Sequence, residues 1–171
     1  MAAREAPFAP WEEVRADLIG PWKIATSDGK RLIFNALTCI DPVASLVELA
    51  RIENKSSDHA ARKLSSTWLP RYPMPVKCVH GNGGEFIGHE FAELLEGAGI
   101  EDIATTVKNP QANAACERMH QTVADILRVL VHTNPPQNGV KATQLVEDAL
   151  ATAMQATRCS YTKSIGTTPG A

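Results

Sequence analysis

The order of strand and helix patterns along the chain constrains its fold most. Strand patterns cover residues 14–19, 31–40, 45–52, 76–79 and 100–107. Helix patterns cover residues 59–69, 89–97, about 114–132 and about 142–158. The first three strands follow one another on short turns, which predicts antiparallel pairing, and the later strands alternate with helices. The sequence therefore predicts an α/β fold with a mixed five-stranded sheet, three antiparallel strands and then two parallel ones, flanked by helices on both faces.

The length and composition favour one globular domain. The chain has 171 residues, enough for one domain with a substantial core and short for two. We expect that domain to span 1–171, with a core of about 10–160 and flanking tails at 1–9 and 160–171. No apolar run approaches the ~20 residues that a membrane span needs. The four cysteines are widely spread, which predicts neither a zinc site nor a disulfide framework.

The charge balance argues against an extended nucleic-acid surface. The formal net charge is −2. DNA-binding surfaces usually carry a basic excess, because released counterions supply much of the affinity. If the chain handles DNA, its basic groups must be local or must lie on segments outside this sequence.

One acidic residue lies inside an apolar strand pattern. Val14, Ala16 and Leu18 fall on one face of that strand, so Asp17 falls on the other. An unpaired buried carboxylate is costly, so it needs a cation, several N–H donors or a raised pKa. A partner arginine or lysine and a role as a metal ligand are equally compatible with the strand.

A glycine-rich turn follows the fourth strand. Residues 80–86 read His-Gly-Asn-Gly-Gly-Glu-Phe, and three glycines in four positions let the backbone approach an ion or a phosphate. Turns at the carboxyl ends of strands often carry active-site groups. The turn has no carboxylate before Glu85, and a plain strand-to-helix loop explains it as well.

The long helix has one apolar face and one polar face. Its predicted buried stripe consists of Met119, Val123, Ile126, Leu127 and Leu130. The opposite, exposed face carries Glu117, Gln121 and Arg128. Asn113 is the predicted N-cap. An ordinary solvated face is the alternative to a functional one.

Three segments together resemble one family. Residues 109–120 (Asn-Pro-Gln-Ala-Asn-Ala-Ala-Cys-Glu-Arg-Met-His), residues 10–22 and residues 80–86 resemble, in order, the third, first and second motifs of the integrase catalytic core of gypsy-type LTR retrotransposons and of retroviruses. The resemblance covers nearly the whole chain, from Trp11 to Pro169. It implies a ribonuclease-H-like fold.

The resemblance also implies a set of catalytic residues. Asp17 and Glu117 match the first and third catalytic acids, which are the ligands of Mg²⁺ or Mn²⁺ in a two-metal scheme. The second acid should be an Asp, and Gly81 stands there instead. Residues 82–116 keep the family's spacing of thirty-five residues, so the alignment has not slipped. We expect weakened metal binding and a strongly impaired or inactive enzyme, and we do not expect Glu85 to replace the missing acid.

The implied partner is DNA, both the ends of the mobile element and the target. Gln121, Arg128 and Lys108 are the expected DNA-contacting residues. The family further implies a homodimer or larger assembly and a nuclear site of action. We expect no zinc module before Trp11 and no basic domain after the last residue, so the chain resembles an excised core, a fragmentary copy or a domesticated remnant of a retrotransposon polyprotein.

Two other functions remain open at this point. The chain could be a non-catalytic nucleic-acid-binding or dimerisation module that kept the fold and lost the chemistry. It could also be a ribonuclease of the same fold, although the motif at residues 109–120 argues against that.

Overall fold

The computed structural model describes residues 9–105, 110–160 and 165–170, and for residues 110–113 it describes the backbone alone. The strands are β1 Glu13–Ala25, β2 Arg31–Ile40, β3 Val47–Ile52, β4 Lys77–His80 and β5 Glu101–Ala104. The helices are α1 Ser57–Thr67, α2 Gly84–Ile87, α3 His89–Gly97, α4 Pro110–Thr133 and α5 Gly139–Arg158. Every predicted strand and helix is found, with bounds that differ by a few residues, and α2 is an addition. Residues 106–107 of the predicted fifth strand lie outside the described residues.

The five strands form one mixed sheet in the order β3-β2-β1-β4-β5. β1, β2 and β3 pair antiparallel, as expected for strands joined by short turns. β4 pairs parallel with β1, and β5 pairs parallel with β4. The predicted mixed sheet is therefore confirmed, with β1 at its centre.

Helices cover both faces of this sheet, as predicted. The first core lies between one face and helices α1 to α3, and its larger members are Val14, Leu37, Leu64, Trp68, Phe86, Phe91 and Leu95. The second core lies between the other face and helices α4 and α5, and it includes Ile19, Trp22, Ile24, Phe34, Val123, Leu127, Val146 and Leu150. The predicted stripe of α4 packs on this second core.

The sequence predicted that the first strand would stop at Gly20. In the structure, β1 continues to Ala25 instead. Ile19 pairs with Ala36 and Trp22 pairs with Phe34, so β1 advances three residues while β2 advances two. This β-bulge adds one residue and reverses the alternation of faces. Trp22 consequently joins the second core rather than the first.

Two helix starts show how local sequence sets the boundaries. The Ser56 hydroxyl accepts a hydrogen bond from the His59 amide and caps α1. α4 begins at Pro110, three residues before Asn113, so Asn113 lies inside the helix and the prediction of an N-cap there is wrong. Proline suits a first helical turn because its missing N–H needs no partner there.

One buried acid joins three distant parts of the chain. Glu48 on β3 is 1% exposed and accepts hydrogen bonds from Arg71, Tyr72 and Arg158. Arg71 and Tyr72 follow α1, and Arg158 is the last residue of α5. This cluster fixes the end of α5 against the edge strand. Among the helices that the structure describes, none is long and apolar enough to cross a membrane.

Candidate active site

The candidate site lies where β4 and β5 end beside the middle of β1. One pairing row across β1, β4 and β5 consists of Ala16, His80 and Ala104. The next residues along the three strands are Asp17, Gly81 and Thr105, so these three meet where β4 and β5 end beside β1, which continues to Ala25. A small cavity of about 40 Å³ opens there, lined by Arg15, Ala16, Asp17, Val79, His80, Gly81, Thr105 and Cys116.

Larger clefts lie elsewhere. One of about 380 Å³ lies between the end of α4 and the start of α5, and one of about 720 Å³ lies between β1 and the second half of α4. Neither is lined by Asp17, Gly81 or Glu117. The small cavity is therefore the one that holds the predicted chemistry, despite its size.

Asp17 is a partly desolvated carboxyl group with few donors. Burial raises its pKa above the usual value of 3.8, and the nearby charge of Glu85 raises it further. The Leu18 amide, at 2.8 Å from Oδ1, and the Cys116 thiol oppose that shift by hydrogen bonding to the carboxylate. A raised pKa was one of the expectations for this buried acid.

An arginine or lysine partner for Asp17 is not found among the residues that the structure describes. Arg15 projects from the same face of β1, but its Nε lies 2.6 Å from Glu13 Oε1. Lys77 also pairs with Glu13, at 2.9 Å. Both of these cations thus pair with another carboxylate.

Gly81 faces Asp17 directly. A Cβ atom built on Gly81 would lie 4.0 Å from Asp17 Oδ1, and beyond the chain neighbours no other described atom would come that close. Position 81 therefore has room for a Cβ atom beside Asp17. The backbone at Gly81 is not in the left-handed region, so it accepts any residue.

The rest of the glycine turn is tied to β5 rather than to Asp17. Asn82 Nδ2 donates to the Thr105 carbonyl at 3.0 Å, so its amide is already engaged. The Glu85 carboxylate folds back over Gly83, where an added Cβ would overlap it. The charge of Glu85 contributes to the raised pKa of Asp17, after the larger effect of burial.

Cys116 is a site residue that the sequence analysis missed. It lies on α4 one residue before Glu117, and burial raises the pKa of its thiol to about 12, with Asp17 and Glu117 adding to the shift. Its only sequence signal was its place next to a predicted catalytic acid. Glu117 itself is exposed near the start of α4, close enough to act on the thiol by charge.

The predicted DNA-contacting residues lie along α4, apart from one. Gln121 and Arg128 are both exposed, as predicted, and both donate to Asp125 Oδ1, at 2.9 and 2.6 Å. Each would have to exchange that bond for a phosphate. Lys108 lies outside the described residues.

The donors present do not fit a pair of Mg²⁺ or Mn²⁺ ions. In the part of the chain that the structure describes, no group of three or more His, Cys, Asp or Glu side chains could hold a metal ion. Gly81 has no side chain that could bind a metal ion. The Cys116 thiol, which is hydrogen-bonded to Asp17, is a poor ligand for a hard cation. Two dications held close together need more carboxylate charge than Asp17 and Glu117 supply.

No protein-family model and no curated protein matches this chain. Solved structures do match its fold. The catalytic core domain of BIV integrase superposes with a TM-score of 0.64 at 19% identity, over 94% of this chain and 91% of that one. The HTLV-2 integrase catalytic core domain in complex with magnesium, in its dimeric form, gives a TM-score of 0.69 at 14% identity, over 94% of each chain.

A larger assembly matches as well. A chain from the structure of the simian T-cell lymphotropic virus intasome in complex with the PP2A regulatory subunit B56 gamma gives a TM-score of 0.72 at 15% identity. The match covers 94% of this chain and 53% of that one, so this chain spans about half of its length. At these identities the likeness concerns the fold, and the chain has the ribonuclease-H-like fold of retroviral integrase catalytic core domains.

Proposed function

We propose that this chain is the integrase catalytic domain of a retrotransposon-type polyprotein, with DNA as its substrate, and that this copy is catalytically impaired. One observation carries the proposal: a Cβ atom at position 81 would lie 4.0 Å from Asp17 Oδ1, and the residue there is glycine. The fold, the thirty-five-residue spacing to Glu117 and the ends of β4 and β5 beside Asp17 support it. The domain would span residues 1–171.

The expected impairment follows from the charge that is missing. Metal-assisted cleavage and joining of phosphodiesters depends on ions that clamp the attacking and leaving oxygens. If one ion supplies several kcal/mol to the transition state, its loss lowers the rate by about 10²–10⁴-fold. Asp17 and Glu117 alone would bind Mg²⁺ or Mn²⁺ weakly.

We further propose that the chain binds DNA through the exposed face of α4 and acts in the nucleus as a homodimer or larger assembly. Gln121 and Arg128 lie on that face, and Lys108 precedes it in sequence. The described HTLV-2 cores are dimeric and trimeric, and the matching simian virus chain belongs to an intasome. These are properties of those proteins, and they motivate the proposal here.

The proposal is tested by strand cleavage and joining on a branched DNA oligonucleotide in Mn²⁺. The unmodified chain is compared with Gly81→Asp and with Gly84→Asp as a control. Gly84 lies in the same turn, and no described atom would lie within 4 Å of a Cβ there, so the control adds the same charge away from Asp17. We expect activity in Gly81→Asp alone.

Other outcomes would contradict parts of the proposal. Activity in the unmodified chain would show that another residue completes the site, and loss of that activity in Glu85→Gln would identify it. Activity in neither the unmodified chain nor Gly81→Asp, with the variant folded, would contradict the role given to position 81.

A non-catalytic nucleic-acid-binding or dimerisation module is the second candidate. The lack of a three-ligand metal group among the described residues favours it. Such a module would bind DNA over a scrambled competitor equally well with and without Mg²⁺. It would also gain no cleavage activity from Gly81→Asp.

A further inference from the structure

The end of the β1–β2 hairpin nearest its turn is a two-stranded ribbon. Toward that turn, β3 pairs with β2 only as far as Asn35, and β4 pairs with β1 only as far as Ala16. In the part of the chain that the structure describes, residues 22–25 and 31–34 therefore pair only with each other. We call these two segments the ribbon.

One face of the ribbon is covered, and the other is open to solvent. Trp22 and Phe34, which pair with each other, pack into the second core beneath α4 and α5. Because side chains alternate along a strand, the next pair, Lys23 and Ile33, lies on the opposite face, together with Arg31. All three of these residues are exposed, and Ile33 is 62% exposed. Lys23, Arg31 and Ile33 define the open face.

The open face is positively charged. Neither Lys23 nor Arg31 forms an ion pair with any residue that the structure describes. Lys30, in the turn, lies 3.8 Å from Asp28, which is the only acidic residue between positions 20 and 36. A chain with a net charge of −2 thus concentrates three cations against one acid in this hairpin.

Lys23 also connects the open face to α4. It lines the cleft of about 720 Å³ between β1 and the second half of α4, together with Arg128 and His132. No carboxylate is among the described residues that line this cleft. Basic side chains therefore extend from the exposed face of α4, across the cleft, to the open face of the ribbon.

We propose that the DNA-binding surface continues from α4 across this cleft onto the open face of the ribbon, where Lys23 and Arg31 contact the phosphates of a DNA duplex. The inference rests on the proposed function, because it extends the DNA-binding face proposed for α4. Lysine and arginine bind phosphates without reading the sequence, and each phosphate that they neutralise releases counterions. A local group of cations is what a chain of negative net charge needs in order to bind DNA.

A second copy of this chain is the other occupant that the open face could take, with Ile33 as its apolar contact. The charges argue against it, because the centres of protein–protein interfaces are depleted of lysine and of charged residues in general. Two cations without partners flank Ile33 here, and burying them against an identical copy would bring like charges together. A polyanion is therefore the better complement.

The test measures the binding of a labelled DNA duplex by fluorescence anisotropy over a salt series. Lys23→Gln and Arg31→Gln should each weaken binding about equally for all sequences and lower the slope of log affinity against log salt by about 1, and the double variant by about 2. The controls are Lys55→Gln, an exposed lysine between β3 and α1, and Arg62→Gln on α1. Both controls should keep the slope of the unmodified chain.

Two patterns of failure are distinguishable. If the unmodified chain binds DNA and both ribbon variants keep its slope, this inference is wrong and the proposed function stands. If the unmodified chain binds no DNA, both are wrong.

Ile33→Asp separates DNA from a second copy as the occupant of the open face. The new carboxylate would lie opposite Lys23, so it should weaken DNA binding and leave the molecular mass in analytical ultracentrifugation unchanged. A change from dimer to monomer in this variant would show that the open face is an interface between copies, and it would overturn the inference.

Discussion

Asp17 illustrates how a single buried carboxyl group links stability to the candidate chemistry. Its pKa is higher in the folded chain than the ordinary value of 3.8, mainly because of burial. A carboxyl group with a raised pKa binds its proton more tightly when folded, so its ionisation costs stability. That cost is absent below the ordinary pKa and is fully present above the folded one.

Asp17→Asn should therefore stabilise the protein at pH 7, with the gain shrinking as the pH falls through the pKa of Asp17. A gain of about 1 kcal/mol would raise Tm by about 2–4 °C for a chain of this size. Thermal unfolding at pH 7 and near pH 4 measures the difference, with the exposed Asp148→Asn as control. A loss of stability at pH 7 would contradict the assigned environment of Asp17.

Individual site residues differed in how far the sequence could predict them. Asp17 and Glu117 followed from an acid in an apolar strand and from the spacing of a resembled motif. Cys116 and the pairing of His80 with Asp102 did not, because they depend on which side chains meet when β4, β5 and α4 come together. Such contacts have no periodicity that a linear pattern could reveal.

At the scale of elements, the bulge in β1 changes which of the two cores the side chains after it join. Gly20 has φ +110°, and a Cβ there would lie 2.8 Å from the Phe34 carbonyl oxygen. The sequence predicted a strand end at this glycine and proline, since both residues usually interrupt strands. The prediction was wrong because the bulge accommodates both residues, and β1 resumes its pairing with β2 at Trp22.

Gly20→Ala should destabilise the protein by more than Gly29→Ala does. Gly29 also has a positive φ, +84°, but no described atom would lie within 4 Å of a Cβ there. Backbone strain alone costs about 1–3 kcal/mol, and the clash at Gly20 adds to it. Urea unfolding of both variants measures the difference, and equal losses would contradict the close packing at the bulge.

The exposed face of α4 gives a prediction about DNA binding. Arg128→Gln should weaken DNA binding about equally for all sequences and reduce the slope of log affinity against log salt by about 1. Arg62→Gln is the matched control, because Arg62 on α1 is also exposed and also bonds an acid of its own helix. Fluorescence anisotropy over a salt series measures DNA binding by both variants. Equal slopes for the two would show that Arg128 does not contact DNA.

At the scale of the whole molecule, the Glu48 cluster holds together parts of the chain that are far apart in sequence. Glu48→Gln removes the charge that faces Arg71 and Arg158 and should cost about 1.5–3 kcal/mol. Glu147→Gln, which breaks an exposed pair with Arg51, should cost less than about 1 kcal/mol. Urea unfolding compares the two, and similar costs would contradict the role of the cluster.

The same variant has a spectroscopic readout. The pKa of Tyr72 is raised to about 12, first by burial and then by its hydrogen bond to Glu48 and the charge of that residue. Glu48→Gln should lower the pKa of Tyr72, which a titration of tyrosine absorbance would detect. No change would show that burial alone sets it.

The overall architecture was the most predictable level. Periodicity placed five strands and four of the five helices, and short turns fixed the antiparallel part of the sheet. The two-core arrangement also followed, because helices on both faces need two buried layers. What the linear patterns did not contain is the convergence of Asp17, Gly81 and Thr105, which arises from the strand register.

The most direct test of the account is Mn²⁺ binding measured by calorimetry on the unmodified chain, on Gly81→Asp and on the Gly84→Asp control. The account predicts a new, tighter Mn²⁺ site in Gly81→Asp alone, since of these two positions only 81 would place its Cβ atom 4.0 Å from Asp17 Oδ1. Equal Mn²⁺ affinity in all three proteins would contradict the claim that position 81 is where this site is broken.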